Sequence, residues 1–204
     1  KNRLQGEMDI ARNIQMSILP KKIEIEGYDI AAYMEKATEV GGDAYDFVKS
    51  KFGNFIGIGD VSGHGLPSGI TALIQQAAFE SSIFTAEVFG MSIWPFQIYN
   101  IVNRVLCLLN SERIGSDKFV TQNYIHEKDG EIIHAGAHEI AILYKHKKNK
   151  IVRLNDFAKK SAFLGLSPLI NSKASQGRFI MESGDIFVLY TDGIIEARDH
   201  FLKQ

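Results

Sequence analysis

The chain has 204 residues, 45% of them hydrophobic, which suits one domain of ordinary size, or one domain with a helical arm. A formal net charge of −1 gives no general case for a nucleic-acid or membrane partner. The lone cysteine, Cys107, excludes an intrachain disulfide, and its place in the apolar run 101–109 predicts a buried, inert thiol. The first residues do not read as a secretory leader, and no stretch reaches the ~18 uninterrupted apolar residues of a membrane helix. A start at Lys1 rather than Met points to a piece of a longer protein. The expected location is the cytoplasm, with any membrane anchor upstream.

In chain order, residues 3–19 read as a helix that Pro20 ends. Leu4, Met8, Ala11 and Ile18 recur on one face, with Ile10 and Ile14 on an adjoining one. Two readings stand: a helix packed in its own domain, or a signalling helix facing a partner or a second copy. In the second, Leu4, Met8, Ala11 and Ile18 meet the other molecule while Ile10 and Ile14 pack on the domain. Short β-type runs follow at 28–33, 44–49 and 55–61, the last two joined by the turn Lys51-Phe52-Gly53-Asn54. That hairpin holds Asp43 and Asp60 near the same end of an antiparallel pair.

A helix is predicted from Pro67, with the stripe Ile70, Leu73, Ile74, Ala77 and Ala78, and another over 95–109, with Ile98, Ile101, Val102, Val105 and Leu109 on one face. Strands are then predicted at 119–126, 131–134, 140–144, 151–154, 179–182 and 186–190. Their separators are Lys128-Asp129-Gly130, Gly136-Ala137-His138, the basic tip 145–150 and Ser183-Gly184-Asp185. Short strands with tight turns predict antiparallel sheets, with the helix pair covering one face.

Three acidic, glycine-flanked motifs carry the chemistry: Gly41-Gly42-Asp43, Gly59-Asp60-Val61-Ser62-Gly63-His64-Gly65 and Tyr190-Thr191-Asp192-Gly193. Each aspartate lies at the end of a β-type run, beside glycines that allow close backbone approach, which suits a hard divalent cation. The second motif runs from strand through glycine-rich loop to helix, so Gly63, His64 and Gly65 are candidates to cradle phosphate at a helix N-terminus. It lacks the Gly-Lys-Ser/Thr ending of a nucleotide loop. His134 and His138 are four residues apart, but a strand-and-turn setting does not suit a zinc pair. Ser62 has no recognisable base partner.

Taken in order, Ile14-Gln15 with Leu19-Pro20, Val40-Gly41-Gly42-Asp43-Ala44-Tyr45-Asp46-Phe47, the Asp60 loop, Ala135-Gly136-Ala137-His138 and Leu189-Tyr190-Thr191-Asp192-Gly193-Ile194-Ile195-Glu196-Ala197 resemble the SpoIIE/RsbU-type branch of the PP2C (PPM) serine/threonine phosphatases. The resemblance covers nearly the whole chain. It implies an α+β fold, a four-layer α/β/β/α sandwich of two antiparallel sheets flanked by helices, with two Mn²⁺ or Mg²⁺ ions at one end. It implies a regulatory helix at 1–20 ahead of a phosphatase domain at 21–204. By resemblance Asp60 bridges both metals, Asp43 and the Val61 carbonyl bind one ion, and Asp192 binds the other. The chemistry implied is hydrolysis of phosphoserine or phosphothreonine by a metal-bound water, on a bacterial anti-sigma-factor antagonist of STAS type. An upstream sensor or activator would act through residues 3–19.

The family pattern continues to a further helix and a strand with an Asp-Asp pair, which this sequence lacks. The expectation is a C-terminally truncated domain, and the alternative is an impaired pseudophosphatase that serves as a partner-binding module. The 135–138 segment also departs from the family's commoner Asn-Ala-Gly-His form. A diguanylate cyclase reading of Gly41-Gly42-Asp43 fails, because Ala44-Tyr45 follows where Glu-Phe is needed.

Overall fold

A computed structural model describes residues 2–35, 40–114, 117–154, 162–169 and 176–197. Helix α1 (Asn2–Ile18) precedes the hairpin β1 (Ala44–Ser50) and β2 (Gly53–Val61). Helices α2 (Leu66–Val88) and α3 (Pro95–Leu108) follow, and α3 runs on into a π-type turn at Leu109–Ile114. Then come β3 (Val120–Lys128), β4 (Glu131–Ala137), β5 (Ile142–Lys145), β6 (Lys150–Arg153), β7 (Gln176–Ile180), β8 (Ile186–Val188) and a single helical turn α4 (Asp192–Ile195). The larger sheet has the order β1-β2-β3-β4-β7 and the smaller the order β6-β5-β8, every pairing antiparallel. Two antiparallel sheets with helices are thus present as expected. The expected loss of the C-terminal helix and strand concerns the chain past residue 197, which lies outside the described residues.

The main core lies between α2, α3 and the larger sheet, around Phe55, Phe79, Ile98, Leu106 and Tyr124. Phe79 of α2 stacks on Tyr124 of β3 with ring centroids 4.9 Å apart. Burying each such ring contributes about 1.5–3 kcal/mol. A smaller core of Leu143 and Leu154, with Phe179 and Phe187 packed against it, lies between the sheets. Cys107 is buried as expected, and burial raises its thiol pKa.

Several expected faces differ. On α2 the buried side chains are Ser68, Thr71, Ala72, Gln75, Gln76, Phe79, Ser82, Ile83 and Ala86, while Ile70 and Ala77 are exposed and Ile74 and Ala78 only partly buried. Polar ties set this rotation: Gln75 Nε2 donates to the Tyr124 hydroxyl at 2.7 Å and Ser68 Oγ to the Ser62 carbonyl at 3.2 Å. On α3 the inward face is Ile98, Tyr99, Val102, Asn103, Leu106 and Cys107, leaving Ile101 and Val105 exposed. Asn103 explains part of the shift, since it accepts from the Gly165 amide and donates to the Ser167 carbonyl.

Residues 28–33 carry no regular secondary structure and have no ladder partner among the described residues, so the expected strand there is absent. Most of their side chains face solvent, which leaves little burial to hold them against β1. Gly136, expected in a turn, lies inside β4 opposite Asn123, at φ 140°, where any side chain would clash with the Gln122 carbonyl.

Helix α1 forms as expected, but Ile10 and Ile14 do not pack on the domain as the signalling reading had them. Ile10 and Ile14 are 60% and 50% exposed, whereas Met8 and Ala11 are half-buried and Gln15 is buried. The tie that turns the helix is Gln15 Nε2, which donates to the Gly41 carbonyl at 2.8 Å. Ile18 is exposed, and the Leu4 side chain lies outside what the structure describes.

Candidate metal centre

The hairpin register pairs Ala44 with Gly59, which sets Asp43, just ahead of β1, beside Asp60 near the end of β2. Asp192 opens α4 after β8, a strand of the other sheet. The three aspartates each offer an oxygen, and these atoms lie within 4.8 Å of one another. The sequence expectation that three distant strand ends converge thus holds in the fold.

Close backbone approach makes this possible. The Val61 amide donates to the Gly42 carbonyl at 3.2 Å. A Cβ at Gly42 would collide with the Val61 carbonyl oxygen and stand 2.5 Å from Asp60 Oδ1. Gly42 is therefore required by space. Gly63 and Gly65 are required by conformation, at φ 76° and 85°. Gly65 is the N-cap of α2 and supplies no side-chain cap, and exposed His64 stands between the two glycines.

The electrostatics are those of crowded carboxylates. Asp43 is raised by burial, opposed by a hydrogen bond from Thr191 and raised further by Asp192. The Thr191 hydroxyl donates to Asp43 Oδ2 at 3.1 Å, while Asp43 Oδ1 is buried without a hydrogen-bond partner among the described residues. Asp60 is pushed up to about 7 by burial, then by the charges of Asp43 and Asp192, against a backbone hydrogen bond from Val61. Asp43 and Asp60, both raised and both beside Asp192, with one oxygen of Asp43 orphaned, form with Asp192 a donor set suited to divalent cations.

Around them, Thr121 Oγ1 donates to the Asp60 carbonyl at 3.3 Å and shares a 2.9 Å hydrogen bond with His138 Nδ1. Burial holds the His138 ring down at about 4, so it is neutral at physiological pH. His134 lies in β4 opposite Ile125, is likewise held at about 4 by burial, and is not in the acidic cluster. Ser62 ties the loop to its neighbours: its hydroxyl accepts from the Phe119 amide, and its carbonyl accepts from Ser68 and Lys118. Sequence reading missed Thr121, the reach of Gln15 to Gly41, and Lys118. A lone threonine or lysine at a strand start gives no signal, since its value comes from the strand opposite.

Residues 52–203 match the family model described as Stage II sporulation protein E (SpoIIE). The chain belongs to the SpoIIE family. A curated relative, phosphoserine phosphatase RsbU of Bacillus subtilis, is 30% identical over 202 residues, covering 97% of this chain and 56% of its own length. The chain thus spans little more than half of that relative. Among solved structures, the SiaA-PP2C domain of Pseudomonas aeruginosa superposes with a TM-score of 0.72 at 19% identity, covering 98% of this chain and 76% of that one. The RsbU and RsbW domains of Rv1364c from Mycobacterium tuberculosis give 0.58 at 21% identity, covering 82% and 42%. This SpoIIE-family chain therefore has the PP2C fold.

Proposed function

We propose that this SpoIIE-family chain is the catalytic part of a metal-dependent protein serine/threonine phosphatase, with residues 1–20 as its regulatory arm and 21–204 as its phosphatase domain. The observation that carries the reading is the meeting of Asp43, Asp60 and Asp192 within 4.8 Å, with one buried oxygen of Asp43 unpaired. Asp60 would bridge two Mn²⁺ or Mg²⁺ ions, Asp43 and the Val61 carbonyl would bind one, and Asp192 the other. When bound, such cations neutralise phosphoryl oxygens and make water a stronger nucleophile. The chain's own residues supply the frame. Thr191 orients Asp43, Thr121 holds the backbone of Asp60, and Gly42 allows the two segments to close. Gly63, His64 and Gly65 form the rim where the phosphate would enter.

The substrate class follows from the relative named a phosphoserine phosphatase, and a phosphorylated STAS-type anti-sigma-factor antagonist fits the family. A solved neighbour that carries an RsbW domain beside its RsbU domain supports a place in partner-switching signalling. No helix among the described residues is long and apolar enough to cross a membrane, which is compatible with cytoplasmic work. Helix α1 reaches the site through Gln15 and Gly41, which supports control by an upstream sensor, an activator or a second copy.

The test is release of phosphate from a phosphoserine protein by the longest natural form of the chain. Hydrolysis is expected with Mn²⁺, none with chelator, and none in Asp60→Ala. Folded protein that binds Mn²⁺ but hydrolyses nothing would leave only a binding module.

A further inference from the structure

Lys118 lies just before β3 and shares the Ser62 carbonyl with Ser68 of α2. The ladder pairs Asp60 with Thr121 and Val61 with Val120, and the Ser62 amide then donates to the Phe119 carbonyl at 2.8 Å. Lys118 is therefore opposite Gly63. Its Nζ donates to the Ser62 carbonyl at 2.9 Å, and a Cβ at Gly63 would stand 2.6 Å from that nitrogen. Strand rise puts Ser62 about 7 Å along the chain from Asp60. The ammonium is thus folded over the loop that follows the metal-ligating segment, on ground that glycine leaves clear.

The backbone beneath it is fixed. Asn110 Nδ2 donates to the Lys118 carbonyl at 2.6 Å and to the Gly165 carbonyl at 3.2 Å. Val120 and Leu164 exchange two backbone hydrogen bonds of 3.0 and 2.9 Å, and the Phe119 and Phe163 rings stack with centroids 5.3 Å apart. A long, flexible side chain is held in one place at both ends. A fixed ammonium has three N–H donors and suits a phosphate oxygen as a point charge.

Resting on the phosphatase reading above, we infer that Lys118 is a phosphate-binding residue: its ammonium takes an oxygen of the phosphomonoester at the rim of the carboxylate centre and holds the free phosphate product there. Hydrolysis itself needs nothing from it. Its share is binding, so it acts on KM and on product inhibition more than on kcat.

The experiment measures binding of inorganic phosphate by calorimetry to the Mn²⁺-loaded protein, for wild type, Lys118→Gln and Lys118→Arg, with Mn²⁺ affinity measured separately. Glutamine keeps a neutral N–H donor for the Ser62 carbonyl on a stem one bond shorter. A charge-assisted contact predicts about a tenfold weaker phosphate affinity in Lys118→Gln and substantial recovery in Lys118→Arg, with Mn²⁺ affinity unchanged. On a phosphoserine peptide, KM should rise by a similar factor. Unchanged phosphate affinity in folded, Mn²⁺-loaded Lys118→Gln overturns the inference. So does a parallel loss of Mn²⁺ and phosphate that arginine does not restore, which would make Lys118 only a loop tie. If wild type binds phosphate through Lys118 yet hydrolyses no phosphoserine, the phosphatase reading fails and the phosphate site stands.

Discussion

Replacing Asp60 by asparagine should have opposite effects with and without metal. In the metal-free protein the carboxyl is raised from an ordinary 3.8 to about 7. Its ionised form is therefore disfavoured in the fold. A raised acid weakens the native state as pH climbs: no penalty below about 4, growing between 4 and 7, and full above 7. A shift of about 3 units corresponds to about 4 kcal/mol, and solvent screening at this half-buried site reduces that to about 1–2 kcal/mol. Asparagine keeps an acceptor for the Val61 amide and removes the charge. In chelator at pH 8, Asp60→Asn should therefore melt about 2–8 °C above wild type, and at pH 4 the two should coincide. Excess Mn²⁺ should reverse the order, because only wild type retains the full carboxylate set and gains stability by binding. Thermal unfolding at both pH values, with and without Mn²⁺, reads all of this. A variant less stable than wild type in chelator at pH 8, or a wild type indifferent to Mn²⁺, would refute the crowded-carboxylate argument.

Gly42→Ala must push a methyl group into the Val61 carbonyl and Asp60; it should cost about 1–3 kcal/mol in urea denaturation and sharply weaken Mn²⁺ binding, and a stable variant with normal Mn²⁺ affinity would remove the close-approach argument. Gln15→Ala leaves the Gly41 carbonyl without its side-chain donor, so about 1 kcal/mol of stability should go and the Mn²⁺ needed for half-maximal activity should rise; an unchanged Mn²⁺ titration would uncouple α1 from the site. Asp46, buried under α2, is pushed up to about 7 by burial, with Glu80 adding to the rise, so Asp46→Asn should raise the melting temperature at pH 8 and leave it unaltered near pH 4, as a paired melting series would record.

The acidic centre was legible because each aspartate adjoins a glycine at a strand end, and the short turn at Lys51-Phe52 leaves the β1–β2 hairpin little freedom of register. Asp43 and Asp60 follow from that hairpin alone. Asp192 needed more, since β8 pairs in the smaller sheet and only the fold brings its end back to the hairpin. What periodicity misjudged was helix rotation. The richest apolar positions of α1 and α2, Ile10, Ile14 and Ile70, face solvent, while Gln15, Ser68, Gln75 and Gln76 are buried.

The reason lies in what these helices cover. A helix over an ordinary core is rotated by the area it buries, and the hydrophobic stripe predicts it. Helices α1 and α2 instead border the backbone of the acidic cluster, bent by glycines, whose carbonyls at Gly41 and Ser62 do not all find partners in the sheet. A buried carbonyl left unsatisfied costs about 1–3 kcal/mol, as much as burying one leucine contributes. Gln15 and Ser68 supply those donors. Once they point inward, Ile14, one residue from Gln15, and Ile70, two residues from Ser68, fall on other faces and point out. The same polar ties that obscure these helices in the sequence join α1 and α2 to the segments carrying Asp43 and Asp60.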